Sequence, residues 1–234
     1  NSIVITKYVI IIHRKVYSWR SRTNNKLNLN LHVIYFTIPT NIKRNLPTSS
    51  NKSNVIELSK TFINSTQKGQ IVATAKHFPG HGLVKGDTHK QSVYIDGALQ
   101  ELDIYKPLIN SGVLSIMVAH ITVKNNDKYS TNGLPASCSR NIVTDLLKNK
   151  LNFKGLVITD AMNIMKAVTI IKDAPLQASK AGCDMILMPI DETNTRDQIL
   201  ATMNTDEAYK QQVYQSIKKV RENPNFSVVA KRIK

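Results

Sequence analysis

The sequence predicts an α/β fold of the (β/α)8 barrel type, incomplete at its N-terminal side, on three observations. Four short apolar runs, at 71–75, 113–119, 156–159 and 185–188, are continuous rather than alternating, as in parallel strands covered on both faces. Amphipathic helical stripes separate the runs, giving the strand-helix alternation of βα units. Polar residues then collect at the C-terminal ends of the runs: Lys76 and His77 after the first, His120 after the second, Asp160 after the third. In a barrel those ends share one face, where chemistry is assembled. The sequence holds no Walker loop and no Gly-x-Gly-x-x-Gly fingerprint, so an open nucleotide-binding sheet lacks its usual signature.

Each element has its own local reason. Asn54 followed by Glu57 reads as a capping pair, with Val55, Leu58, Phe62 and Ile63 on one helical face before Gly69, which predicts a helix over 54–67. Leu99, Leu102, Tyr105, Leu108 and Ile109 form a second stripe, stopped by Gly112. A third stripe joins Ile142, Leu146, Leu147 and Leu151. The segment 176–181 is helical up to Gly182, and Tyr209, Val213, Ile217 and Val220 make a last amphipathic helix before Pro224.

A chain of 234 residues with 41% hydrophobic content can bury one large core. It is shorter than the roughly 250 residues of a complete barrel. The expected organisation is an eroded or unrelated segment over 1–26, the barrel domain over 27–223 and a basic tail over 224–234. The net charge of +16 is unevenly placed, since the first 50 residues hold eight Lys or Arg and no Asp or Glu. With aromatics scattered and no nucleic-acid motif, this reads as compositional drift, and no nucleic-acid partner is expected. The apolar run 8–12 is too short to span a bilayer. Cys138 and Cys183, without CxxC or zinc-ligand neighbours, read as reduced buried thiols. Cytoplasmic residence is the expectation, with a leader ahead of Asn1 left open and oligomeric state undetermined.

The densest chemistry is Lys76-His77-Phe78-Pro79-Gly80-His81-Gly82 followed by Asp87-Thr88-His89. Three histidines, two lysines and a carboxylate in fourteen residues have no packing role at the end of a buried strand. His77-x3-His81 with Asp87 and His89 admits a metal reading, but no metalloenzyme motif is met, and neither metal nor cofactor is expected. Asp160, met alone, would equally serve to cap the helix after it.

These blocks resemble the family 3 glycoside hydrolases, and within them the bacterial β-N-acetylhexosaminidases of cell-wall recycling. Ala75 through Gly82 resembles the family hallmark, Asp87-Thr88-His89 its acid/base loop, Ile116-Met117-Val118-Ala119-His120 the next strand, and Gly155 through Met162 the nucleophile strand. Pro135-Ala136-Ser137-Cys138-Ser139 and 181–187 match further blocks in order. The resemblance implies retaining hydrolysis of terminal N-acetyl-β-glucosaminides, small carbohydrates from peptidoglycan, through a covalent glycosyl-Asp intermediate. It makes Asp160 the nucleophile and His89 the general acid and base, with Asp87 beside it. An imidazole of pKa ~6.5 can protonate a leaving oxygen and then deprotonate water near neutral pH, and Asp87, two residues away, can orient the ring in an extended loop. Lys76, His77, His120 and Asn41 are the implied sugar ligands.

Two departures stand out. Asn41 occupies the place of a substrate-binding Asp in the faint block at 38–45, and the Arg-bearing block expected after it is not visible. Gly82-Leu83-Val84 replaces a more polar loop start. A catalytically impaired barrel remnant is therefore the alternative expectation, and a family 3 β-glucosidase the third.

Overall fold

The computed structural model describes residues 33–37 as backbone, and residues 52–69, 71–81, 84, 93–164 and 166–222. Asn41, Asp87 and His89, Met165, the segment 1–26 and the tail lie outside these residues. In chain order the elements are β1 (Val33–Thr37), α1 (Lys52–Lys68), β2 (Val72–Phe78), β3 (Tyr94–Asp96), α2 (Leu102–Asn110), β4 (Ser115–Val118) and β5 (Thr122–Lys124). A 3-10 turn (Ala136–Cys138), a π-helix (Asn141–Lys150), β6 (Leu156–Thr159), α3 (Lys166–Thr169), α4 (Ala174–Ala181), α5 (Glu192–Thr205) and α6 (Glu207–Glu222) follow.

Four strands form a parallel sheet in the order β1-β2-β4-β6, and a bridge from Ile158 to Met185 continues it toward the fourth apolar run. The continuous apolar runs thus did report buried parallel strands. Residues 185–188 make single contacts rather than a full strand: Thr159 donates its amide to the Met185 carbonyl, and Leu187 donates to Thr159 Oγ1. β3 and β5 pair separately as a short parallel ribbon. The architecture is α/β with parallel sheets, open among the described residues.

Side-chain alternation sends the two faces of the sheet into different cores. Ile116, Val118 and Val157 join the large core under the helices, whereas Met117 and Ile158 pack with Ala161 and Leu187 in a small separate cluster. The helices cover the first face: in α2 Tyr105 and Leu108 of the predicted stripe are buried together with Ile104, which lay outside it, while Leu99, Leu102 and Ile109 are partly buried, and in α6 the predicted Tyr209, Val213, Ile217 and Val220 are all buried.

Four local expectations are corrected. α1 begins at Lys52, two residues before Asn54, and Lys52 Nζ reaches Asp103 of α2 at 3.0 Å and Gln100 O at 3.4 Å. Glu57, the presumed capping partner, pairs with Lys60 at 2.9 Å instead. The buried face of α1 is Val55, Ser59 and Ile63, with Leu58 55% exposed, since strict i, i+4, i+8 spacing sets the face against α2. The stripe at 142–151 winds as a π-helix, Leu151 N donating to Leu146 O at 2.9 Å.

At the N-terminal end of β6, opposite the polar rim, lies a buried ionic knot. Asp184, with a side chain 1% exposed, accepts from Lys219 Nζ at 2.8 Å, Lys148 Nζ at 3.1 Å, Ser216 Oγ at 2.8 Å and Val157 N at 2.8 Å. It ties the π-helix, β6 and α6 together. Burial opposes ionisation, yet the two ammonium groups and the hydrogen bonds leave the Asp184 carboxyl below its ordinary pKa.

Candidate active site

Because β2, β4 and β6 run parallel and adjacent, their C-terminal ends lie along one edge of the sheet. The expected site residues Lys76, His77, His120 and Asp160 are all placed there. β2 and β6 flank β4, so their backbones stand about 10 Å apart, a gap that two side chains can close. The register of β2 against β4 slips between Lys76 and Phe78, leaving His77 as the extra residue of a bulge. Such bulges re-aim a side chain, and His77 Nε2 lies 3.4 Å from Asp160 Oδ2. Both side chains are 17% exposed, sheltered but open to a ligand. The Lys76–His77 and Phe78–Pro79 peptides are cis.

Burial is the largest influence on His77 and, despite the pull of Asp160 toward protonation, brings its imidazole down to about 4 from 6.5; Lys76, His81 and His120 push the same way as burial. At neutral pH the Asp160 contact is therefore with a neutral ring that can donate or accept, not with a second charge.

The strand exit is held from the helix layer. Glu101, buried ahead of α2, accepts the His81 amide at 3.1 Å, and Phe78 meets Tyr105 edge-to-face at 4.9 Å between ring centroids. Gly80 has φ +146°, and a Cβ there would lie 2.7 Å from Glu101 Cδ, so only glycine lets the carboxyl approach. This sets the His81 ring 5.5 Å from that of His77. The described residues bring no three His, Cys, Asp or Glu side chains together as a metal site.

His120 stands differently from its expectation as a sugar ligand. It is 1% exposed, Nδ1 lies 2.7 Å from Ser137 Oγ and Nε2 lies 3.3 Å from the Ala161 carbonyl oxygen, so both ring nitrogens are engaged inside the protein. Burial also lowers its pKa. Ser137 arrives on the 3-10 turn, docked on the chain around His120 by Ala136 N to Ile121 O at 2.8 Å and Ser137 N to Ala119 O at 3.1 Å. Ser137 and Glu101 had no role in the sequence reading. The signal for Ser137 was a run of small polar residues inside a chemistry-bearing block.

Cys138 and Cys183 are buried and unbridged, as their spacing implied, and burial raises both thiols, Cys138 to about 11. No helix among the described residues is long and apolar enough to cross a membrane.

The family profile described as "Glycosyl hydrolase family 3 N terminal domain" matches residues 44–222. A β-hexosaminidase of Nitrosomonas eutropha is 30% identical over 156 residues, 64% of this chain and 43% of that protein. The chain thus spans less than half the length of that curated relative. Among solved structures, Zn-bound CbsA of Thermotoga neapolitana matches with TM-score 0.70 and 26% identity, covering 82% of this chain and 43% of that one. A family 3 β-N-acetylglucosaminidase of a Paenibacillus species matches with TM-score 0.65 and 26% identity, covering 79% and 35%.

Proposed function

The chain belongs to the glycosyl hydrolase family 3 N terminal domain family, and from that premise we propose that it serves retaining hydrolysis of terminal N-acetyl-β-glucosaminides such as peptidoglycan fragments. The observation that carries this reading is Asp160, a sheltered carboxylate at the end of a parallel strand with His77 Nε2 at 3.4 Å. In the proposed reaction Asp160 attacks the anomeric carbon while the glycosidic bond breaks, and the His89 imidazolium gives its proton to the leaving oxygen. Neutral His89 then takes a proton from water, whose oxygen displaces Asp160 and frees the sugar. Asp87 orients His89 and supports its charge. Lys76, His77 and Asn41 fix the sugar hydroxyls, and the domain over 27–223 supplies a partial (β/α)8 scaffold, incomplete at its N-terminal side, to which the β1-β2-β4-β6 sheet belongs. The β-hexosaminidase names of the relatives support the N-acetylated sugar over a plain glucoside.

Release of the chromophore from an aryl N-acetyl-β-glucosaminide, compared with the aryl β-glucoside, tests the substrate class. Asp160→Ala is expected to remove turnover by several orders of magnitude while the protein stays folded, and a mechanism-based fluorosugar to label Asp160. His89→Ala is expected to suffer least on good leaving groups, which need little protonation. Labelling of another carboxylate, or a preference for the glucoside, refutes the assignment.

A further inference from the structure

We propose that His120 and Ser137 form a positioning pair that fixes the backbone at Ala161, and with it the neighbouring nucleophile Asp160, and that His120 is not a sugar ligand. The inference rests on the reading of Asp160 as nucleophile. The hydrogen bonds have one consistent direction. The Ala161 carbonyl can only accept, so His120 Nε2 carries the proton and donates to it across 3.3 Å. Nδ1 is then bare and accepts from the Ser137 hydroxyl at 2.7 Å. The other neutral tautomer would set the Nε2 lone pair against a carbonyl oxygen. Ala161 in turn donates its amide to Asp160 Oδ1 at 2.8 Å, and Asp160 donates its own amide to Val118 O at 3.0 Å. One carboxylate oxygen is thereby set by the amide of the same residue whose carbonyl His120 grips, while the other faces His77.

The pair is also backed from behind. Cys183 Sγ donates to the Ser137 carbonyl at 3.5 Å, and Cys138 Sγ lies 3.8 Å from Ser137 Oγ. At 1% exposed and with each ring nitrogen within hydrogen-bond distance of a protein oxygen, His120 presents no free nitrogen to a substrate.

Two substitutions separate the roles, because the Gln side-chain nitrogen falls where Nε2 of His lies and that of Asn falls where Nδ1 lies. His120→Gln keeps a donor to Ala161, whereas His120→Asn can reach only Ser137. On an aryl N-acetyl-β-glucosaminide, well below the unfolding temperature, His120→Gln is expected within about tenfold of the parent kcat and His120→Asn about a hundredfold lower, the scale of a misplaced reacting group, with KM little changed in either. Equal kcat for the two variants, or losses confined to KM, would overturn the proposal. Ser137→Ala, which leaves Nδ1 without a donor, is expected to lower kcat with KM unchanged, and serves if a His120 variant fails to fold. Nitrogen-15 spectra of the parent give a reading independent of turnover. A ring protonated at Nε2 and bare at Nδ1 is expected; the opposite tautomer would refute the pair. Fluorosugar labelling of a carboxylate other than Asp160 would instead overturn the nucleophile assignment, with the His120 tautomer unchanged.

Discussion

His77 ties the chemistry of single residues to the stability of the whole. Its folded-state pKa, about 4, lies below the ordinary 6.5, so the unfolded chain binds the proton more readily. Stability linked to His77 is therefore complete above about pH 6.5 and is lost as pH falls through that window toward 4, to a limit of roughly 3 kcal/mol. Urea unfolding followed between pH 7 and pH 4 is expected to show a falling midpoint, and His77→Gln to flatten it in part. His120, lowered in the same direction, contributes to the remaining slope. An unchanged slope in His77→Gln would mean that the imidazole is not desolvated as its 17% exposure implies. At this scale the sequence already showed which residue types gather at the strand ends. It did not show that His120 turns inward, because its partner Ser137 lies 17 positions away and reaches it only through the 3-10 turn.

Among elements, the Asp184 knot decides how α6 and the π-helix meet β6. Removing one partner of a buried ion pair leaves the others without compensation, which costs about 3–5 kcal/mol. Asp184→Ala is therefore expected to lower the folding free energy by about that amount, measured by chemical denaturation, with Lys148 and Lys219 left facing each other. The sign with pH follows from the lowered carboxyl: its stabilisation is present above the unfolded carboxylate pKa and vanishes only as pH falls through the still lower folded value. That window lies below the one set by His77, so acid unfolding should show the two contributions in sequence. Helix α5 marks where element-level reading failed. Its buried residues are only Thr195, Ile199 and Met203, too sparse a stripe to detect among polar neighbours, although Asp191 caps it by accepting the Asn194 amide at 2.9 Å.

Across the molecule, one large apolar core joins residues from Val55 of α1 to Val220 of α6. Four buried side chains of α6 belong to it, and fully burying such a group is worth roughly 1.5–3 kcal/mol. Their sum, with the ion pair of Lys219, is comparable to the ~5–15 kcal/mol net stability of a typical domain. A chain ended after Asp206 is accordingly expected to lose its cooperative unfolding transition in calorimetry, and a sharp transition at the parent temperature would show that α6 is dispensable. The same shared core explains why elements placed correctly in order still needed correction at their ends. Lys52, at the start of α1, pairs with Asp103 of α2, and Leu58 turns outward because Val55, Ser59 and Ile63 meet the core.

The sequence by itself determined the alternation of parallel strands and helices, the polar C-terminal rim with Lys76, His77 and Asp160, and the family. Each of these is written in local periodicity, residue type or motif order, which survive in a single strand of text. The tertiary structure alone decided the rest. Strand order β1-β2-β4-β6 sets β4 between the strands that carry His77 and Asp160, and a one-residue bulge aims the imidazole at the carboxylate. Packing closes His120 against Ser137 and Ala161, and brings Lys148 of the π-helix and Lys219 of α6 onto Asp184. These are pairings between residues far apart in the chain, fixed by which surfaces exclude water together, and no local pattern encodes them.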